Sequence, residues 1–421
     1  MKICVLGLGY IGLPTACLFA KANYQVVGVD TNEKIIRKLN YGKLPFEEKG
    51  LEELFEIAHS NMKFGTEVEE ANVFIIAVPT PLDKELKMAG LKHVRSAAEM
   101  IYPNLIKDSL IILESTVPPG TCEKLIIPIL EKSGLQVSKE FHLAHCPERA
   151  IPSNTIFEMM HNDRIVGGID KKSAELTKSL YSCFVKGNIH LTDIRTAEFV
   201  KLMENTYRDI NIALASEFAQ IAEECKINVW EAIELANKHP RVNILRPGPG
   251  VGGHCIAIDP WFLTENSTRC RIVPLAREIN DSMPNRVLQM VKGLMNNCTN
   301  NPIITVLGVA YKGNVDDTRE TPALKFIKLA ENEGYKVKVH DPHVKEFEYE
   351  TADLANAVRD SDCIVIITDH DEFKLINPKE ISELMRNKNI VDTRNILTAE
   401  RWKHEGFRVK TLGDGCNYEK S

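Results

Sequence analysis

The sequence predicts an α/β fold: two domains built on parallel sheets, joined by a central long helix and a small all-α region. Three observations carry this. Short apolar runs alternate with helical stretches at both ends of the chain. A strand, a glycine turn, a helix, a strand and an acidic residue follow one another from Lys2, and again from Ile303. Between these regions, Thr196–Lys226 contains neither glycine nor proline. At 421 residues the chain is long enough for two or three domains, each with its own core.

Lys2–Leu6 reads as the first strand, Ile11–Ala22 as a helix and Tyr24–Val29 as the second strand. Val73–Val78 and Leu110–Leu113 are continuously apolar, the mark of strands covered on both faces. Arg164–Gly168 is expected to close this sheet. Strands separated by helices imply right-handed crossovers and a doubly wound parallel sheet. In the central run Phe199, Met203, Tyr207, Ile210, Leu214, Phe218, Ile221 and Cys225 recur at three- and four-residue steps, one face of a helix about 45 Å long. Such a spine joins two domains and is suited to packing against a second copy. Helical character continues to near Met295, broken at Pro247–Gly253. Ile303–Leu307, Tyr335–Val339, Cys363–Ile367 and Asn389–Val391 are then strands, with a helix at Pro322–Glu333. The expected domains are 1–195, 196–300 and 301–421.

Lys and Arg number 52 against 58 Asp and Glu, a net charge of −6 with no dense basic run, which argues against a nucleic-acid or anionic-membrane surface. No apolar stretch is long enough to span a bilayer, and the N-terminus reads as a strand rather than a signal peptide. The 11 cysteines are scattered, with no Cys-x-x-Cys pair. That disfavours a metal cage or disulfide framework and fits a reducing, cytoplasmic compartment.

Gly7-Leu8-Gly9-Tyr10-Ile11-Gly12 directly follows a strand and opens a helix, and Asp30 ends the next strand. Gly7 permits the tight turn, Gly9 lets backbone approach a pyrophosphate, and Gly12 lets helix and strand pack closely. The helix N-terminus offers N–H groups and a positive dipole end to the anion. Asp30 suits the adenosine ribose hydroxyls and repels a 2′-phosphate, so the expected cofactor is NAD and the domain is Rossmann-like. The loops carrying Thr80 and Ser115–Gly120 with Thr116 follow predicted strands at the sheet's ligand-binding edge. The second glycine turn, Gly308–Gly313, has Ala310 in place of its middle glycine, which predicts shared architecture with a changed ligand.

Pro247-Gly248-Pro249-Gly250-Val251-Gly252-Gly253-His254-Cys255 places four glycines and two prolines ahead of a cysteine. Glycines let a substrate lie against backbone and prolines stiffen the loop. The thiol reads as a nucleophile for a bound carbonyl. His254, adjacent in sequence, is not assigned as its base. Lys201 and Asn205, four apart, share a helix face away from the apolar stripe.

With these residues the chain resembles the nucleotide-sugar 6-dehydrogenases, the group that includes UDP-glucose dehydrogenase, over essentially its whole length. The markers are Gly7–Gly12, Ser115–Gly120, Pro147-Glu148, Lys201 with Asn205, Gly252–Cys255 with Asp259, and Asp316-Asp317-Thr318-Arg319. Asn237–Leu245 and Ile258–Phe262 look most like the branch acting on UDP-N-acetyl-D-mannosamine. The resemblance implies a small all-α dimerisation domain between two Rossmann-like domains, the second binding a UDP-sugar. It implies a homodimer or higher homo-oligomer, and oxidation of the sugar C6 hydroxyl to a carboxylate with two NAD through a Cys255 thioester. Carried over by position, Lys201 and Asn205 stabilise an oxyanion, Asp259 orients Lys201 or water, Glu148 is a general base and Thr116 holds its water. Many relatives carry a second glutamate where this chain has Pro152. Gly252, Arg149, Tyr311 and Lys312 face the nucleotide sugar, and Arg241 reaches that of a neighbouring subunit. Arg319 completes the cofactor site or forms an ion pair with Asp316 or Asp317. Other readings are the same chemistry on UDP-N-acetylglucosamine or UDP-glucose, a two-electron β-hydroxyacid-type dehydrogenase, or a non-enzymatic NAD-binding regulator.

Overall fold

The alternation of apolar runs and helices is realised in a computed structural model that describes residues 1–151, 154–295 and 301–416. The chain divides into two compact units: Met1–Glu204 with Trp261–Thr268, and Asn205–Pro260 with the chain from Arg269 onward.

In the first unit, β1 (Lys2–Leu6), β2 (Gln25–Val29), β3 (Met62–Gly65) and β4 (Val73–Ile76) precede a small hairpin, β5 (Leu82–Asp83) and β6 (Met88–Ala89). Then follow β7 (Leu110–Leu113), β8 (His142–His145), β9 (Arg164–Gly168) and β10 (Ile189–Asp193). The sheet order is β10-β9-β8-β7-β4-β1-β2-β3. Every pairing is parallel except β8 with β9. Apolar clusters cover both faces of this sheet, one around Phe19, Phe55 and Tyr181 and one around Phe74, Val94 and Phe141.

Arg164–Gly168 does not close the sheet as the sequence suggested. It reverses direction beside β8, and β10 lies outside it. Its last two residues are closely packed. A Cβ at Gly167 would lie 2.5 Å from the Ala197 side chain, and one at Gly168 would lie 2.3 Å from the Asp170 carbonyl. These bare positions admit the following segments. β10 is half-exposed along its length and gives no buried-strand signature.

The second unit holds β11 (Ile303–Leu307), β12 (Lys336–His340), β13 (Cys363–Ile366), β14 (Asn389–Asp392) and β15 (Arg408–Thr411). They form one parallel sheet in the order β12-β11-β13-β14-β15. Clusters around Phe326 and Met290 and around Trp402 and Phe373 fill its two faces. In each sheet the strand preceding the glycine turn, β1 or β11, sits where the order reverses, the position at which such sheets leave a crevice.

The spine is a continuous helix, Ile194–Cys225, about 48 Å long at helical rise. Asp209 pins it to the helix Ile272–Leu294: Arg277 Nη1 donates to Asp209 Oδ1 at 2.6 Å and Asn280 Nδ2 at 2.8 Å, all three residues buried. The predicted apolar row behaves differently. Phe199, Met203, Tyr207, Leu214, Phe218 and Ile221 are exposed, whereas Ala213, Ala215 and Ala219 on the other side are buried. Among the described residues no helix is long and apolar enough to cross a membrane.

Candidate active site

The first glycine turn shows which glycines the backbone requires. Gly7 has φ +92°, and a Cβ there would lie 2.5 Å from the Ala77 carbonyl. At Gly12 a Cβ would lie 1.8 Å from the Gly7 carbonyl. Over Gly9 a Cβ would meet nothing within 4 Å. Two glycines thus serve the fold and the third leaves open space before the helix Gly12–Lys21, where N–H groups and dipole favour an anion. Asp30, half-buried, accepts from Leu8 N at 2.9 Å and Asn32 N at 2.8 Å. The Tyr10 ring lies tilted against Phe46 with centroids 4.3 Å apart, and Ile11 precedes the helix as its cap residue. An open glycine at a helix N-terminus and an acid on the adjoining strand fit a dinucleotide.

Thr80 lies after β4, and Thr116 lies half-buried after β7. Ser115 Oγ donates to the Val78 carbonyl at 2.7 Å and ties these two loops together. The sequence reading missed Glu198. Fully buried in the first turns of the spine, it accepts from Gly120 N at 2.5 Å and Cys122 N at 2.9 Å, and so holds the Thr116 loop. Burial pushes its carboxyl up, against those two donors. Nothing in its local sequence distinguishes it from a surface glutamate.

Glu148 is heavily engaged. Oε1 accepts from Arg149 N at 2.7 Å and Ala150 N at 2.8 Å, and Oε2 accepts from the buried Arg164 at 2.6 Å. Arg164 lies over the Tyr181 ring at 4.8 Å and reaches Glu114 at 3.9 Å. Glu114 is fully buried. Burial pushes its carboxyl up to about 7, opposed by Arg164, while Tyr181 and Thr15 donate to it at 2.5 and 3.1 Å. Arg149 forks onto Glu204 at 2.7 and 3.0 Å and donates to the Asp163 carbonyl at 2.7 Å. Pro152 lies outside the described residues. Lys201 is buried. The neighbouring His145 is held down at about 3, by burial first and by the Lys201 charge in the same direction.

In the second unit, Cys255 is half-buried in a turn. Its carbonyl accepts from Asp259 N at 2.8 Å, and Asp259 opens the helix Asp259–Thr264. Asn205 Nδ2 donates to Asp259 Oδ2 at 2.6 Å, so two predicted residues meet directly. The glycines ahead of the thiol are required by close packing. A Cβ on Gly252 would lie 2.7 Å from Tyr311 Cβ, and one on Gly253 would lie 3.1 Å from the Tyr311 ring. Gly253 N donates to the Arg319 carbonyl at 2.9 Å. Tyr311 is pushed up to about 12 by burial, then by Asp317 and Cys255.

Arg319 forks onto Asp317, with Nε 2.9 Å from Oδ1 and Nη2 2.5 Å from Oδ2, the ion-pair alternative named from sequence. Lys312 and Arg241 are exposed. Arg394, which the sequence reading also missed, follows β14. Its Nε donates to the Ile367 carbonyl at 2.9 Å, and a Cβ at Gly248 would lie 2.8 Å from its Nη1.

Three models of the UDP-glucose/GDP-mannose dehydrogenase family match: the NAD binding domain over residues 1–185, the central domain over 195–282 and the UDP binding domain over 305–399. The chain is 49% identical to the UDP-N-acetyl-D-mannosamine dehydrogenase of Methanococcus vannielii, over 99% of this chain and 97% of that one. With the Methanocaldococcus jannaschii protein of the same name it shares 50%, over 99% and 97%. Among solved structures, the UDP-D-ManNAc dehydrogenase from Pyrococcus horikoshii matches at 43% identity and TM-score 0.93, covering 99% of this chain and 100% of that one.

Proposed function

The chain belongs to the UDP-glucose/GDP-mannose dehydrogenase family, and from that premise we propose that it oxidises UDP-N-acetyl-D-mannosamine at C6 to the uronate, using two NAD. One observation carries the chemical reading. The Cys255 turn lies against Tyr311 and the Arg319 backbone, so the thiol adjoins the UDP-binding segment, and Asp259 beside it is hydrogen-bonded by Asn205.

NAD, when bound, supplies the hydride acceptor for each of the two oxidations. Gly9, the helix N-terminus after Gly12 and Asp30 would hold it, together with Tyr10, Ile11, Thr80 and Thr116. The Cys255 thiolate adds to the C6 aldehyde, forming a C–S bond and a thiohemiacetal. Its oxidised form is a thioester, which water cleaves to release the carboxylate and regenerate the thiol. Lys201 and Asn205 stabilise the oxyanion, and Asp259 orients Asn205. Glu148, with both oxygens engaged by donors, fixes the Arg149 segment and polarises a water held by Thr116. Lys312, exposed in the UDP-binding segment, supplies positive charge for the diphosphate. Gly252 and Tyr311 shape the sugar pocket, and the Arg149–Glu204 ion pair holds the segment after Glu148.

The exposed row Met203, Tyr207, Leu214, Phe218 and Ile221 supports a homodimer in which this face meets its copy, with Arg241 reaching the neighbouring subunit. Free cysteines, ten of them among the described residues, suit a reducing cytoplasm.

The test counts NADH per UDP-sugar, with UDP-N-acetylmannosamine, UDP-N-acetylglucosamine and UDP-glucose compared side by side. Two per sugar, with the mannosamine compound fastest, is expected. One per sugar with a carbonyl product rejects the four-electron reading. Cys255→Ser lowers acid formation by on the order of 10³-fold or more, and full turnover in that variant rejects the thioester.

A further inference from the structure

In the second unit His343, His370 and Glu372 place one ligand atom each within 4.8 Å of one another, the spacing of a cation site. The hydrogen bonds of His370 argue against that use. Its Nδ1 accepts from Asn314 N at 2.9 Å, so this nitrogen carries no proton. Its Nε2–H therefore donates to Asp341 Oδ2 at 3.0 Å. Both ring nitrogens are engaged, and the ring is fully buried. A metal would have to break one of these bonds.

Those same bonds point to another role. Asp341 Oδ2 also accepts from Val309 N at 2.7 Å and Ala310 N at 3.1 Å. The imidazole thus spans the glycine turn, with one nitrogen on Asn314 at its far end and the other on the carboxylate that holds its near end. The flanking residues add to the clamp. Thr368 Oγ1 donates to the Ala310 carbonyl at 2.6 Å. Asp371 N donates to Asn314 Oδ1 at 3.0 Å, and Asn314 Nδ2 donates to Asp371 Oδ2 at 2.7 Å. Asn314 sits at φ +61°, in the left-handed region that asparagine tolerates better than most residues. Between the two clamped ends lie Tyr311 and the exposed Lys312.

We infer that His370 is a positioning residue for substrate: it fixes both ends of the 309–314 loop so that Tyr311 and Lys312 meet the nucleotide sugar already ordered. The inference deepens the nucleotide-sugar reading and rests on it. Preorganising a loop raises affinity by removing the ordering step from binding. His370 therefore acts on substrate affinity rather than on the oxidation.

Two conservative variants separate the bonds. In His370→Asn the amide oxygen stands near the former Nδ1 and still accepts from Asn314 N. In His370→Gln the longer amide reaches the former Nε2 position and still donates to Asp341, but leaves the Asn314 N–H unpaired. The readouts are the Kd for UDP by calorimetry, the KM for the UDP-sugar and for NAD, and kcat. His370→Gln raises the UDP Kd and the sugar KM about tenfold, with kcat and the NAD KM within about twofold, and His370→Asn restores affinity to within about threefold. On a Lys312→Ala background the His370→Gln effect shrinks, because the loop has lost one of its two substrate contacts and retains Tyr311. The inference is overturned if both variants bind UDP like wild type. It is equally overturned if kcat and NAD binding fall together with sugar affinity, or if the Gln effect persists at full size without Lys312. Wild-type protein that fails to bind UDP overturns the nucleotide-sugar reading as well.

Discussion

The two glycine turns start from the same plan and end in opposite chemistry. After β1, Gly9 faces open space, the helix begins at Gly12, and among the described residues Asp30 accepts from two backbone N–H groups. After β11, Ala310 is buried, its carbonyl capped by Thr368. The next helix, Pro322–Asn332, begins only after a long loop. Asp341 accepts from Val309, Ala310, His343, Val344 and His370. Burial alone would push its carboxyl up, but these donors hold it well below the usual carboxylate range. An acid with fewer donors from its own chain keeps more acceptor capacity for a ligand. An acid saturated by its own chain serves the fold, and the anion-binding helix terminus is gone from the turn. One methyl group at position 310 signals the change, but the saturation of Asp341 produces it.

The comparison breaks most visibly at the third glycine of the first turn. Gly12→Ala drives a methyl into the Gly7 carbonyl, 1.8 Å from the ideal Cβ. It is expected to destabilise the first unit by several kcal/mol, read as a lost or greatly lowered melting transition. Asp341→Asn comes next. It removes charge from five donors and is expected to lower stability by about 2–4 kcal/mol, while Asp30→Asn leaves melting within about 0.5 kcal/mol and raises the NAD KM. Equal destabilisation by the two would erase the distinction between a fold acid and a ligand acid. Gly9→Ala sharpens it from the other side. Its methyl meets no protein atom, so melting stays unchanged while the NAD KM rises about tenfold, roughly 1.4 kcal/mol.

The smallest effect concerns the buried Glu114. Its carboxyl titrates at about 7 in the fold against 4.5 ordinarily, so the native state holds a proton that the unfolded chain has released. Its contribution is fully present below pH 4.5 and is lost as pH rises through about 7. Glu114→Gln, which stays neutral, should flatten the change in melting temperature across that window. An unchanged slope would show that Glu114 is not its source.

Much of the architecture was legible because it rests on periodicity. The continuous apolar runs marked β1, β4, β7 and β13 to within a residue or two, and the glycine-free stretch marked the spine, since both patterns reflect local geometry and burial. The antiparallel pairing of β9 and the half-exposed β10 were not, because strand direction leaves no local periodicity and β10 lacks a buried-strand pattern. Among site residues, the glycine turn with Asp30 was readable, whereas Asp259 was expected to orient Lys201 or water and the structure shows Asn205 donating to it. Glu198, Arg394 and His370 were not readable, because each acts on backbone groups distant in sequence.

Sequence by itself determined the two sheet domains, the spine, the first glycine turn and the glycine- and proline-rich loop ahead of Cys255, since each is encoded by residues close together in the chain. Tertiary structure alone decided that Gly9 stays open while Ala310 is covered. It alone decided that Glu148 is held by Arg164, and that the spine's apolar row is exposed in the single chain. These outcomes depend on which donors and side chains reach a given atom across long loops, and a carboxylate's role follows from how many of its acceptor sites those neighbours fill.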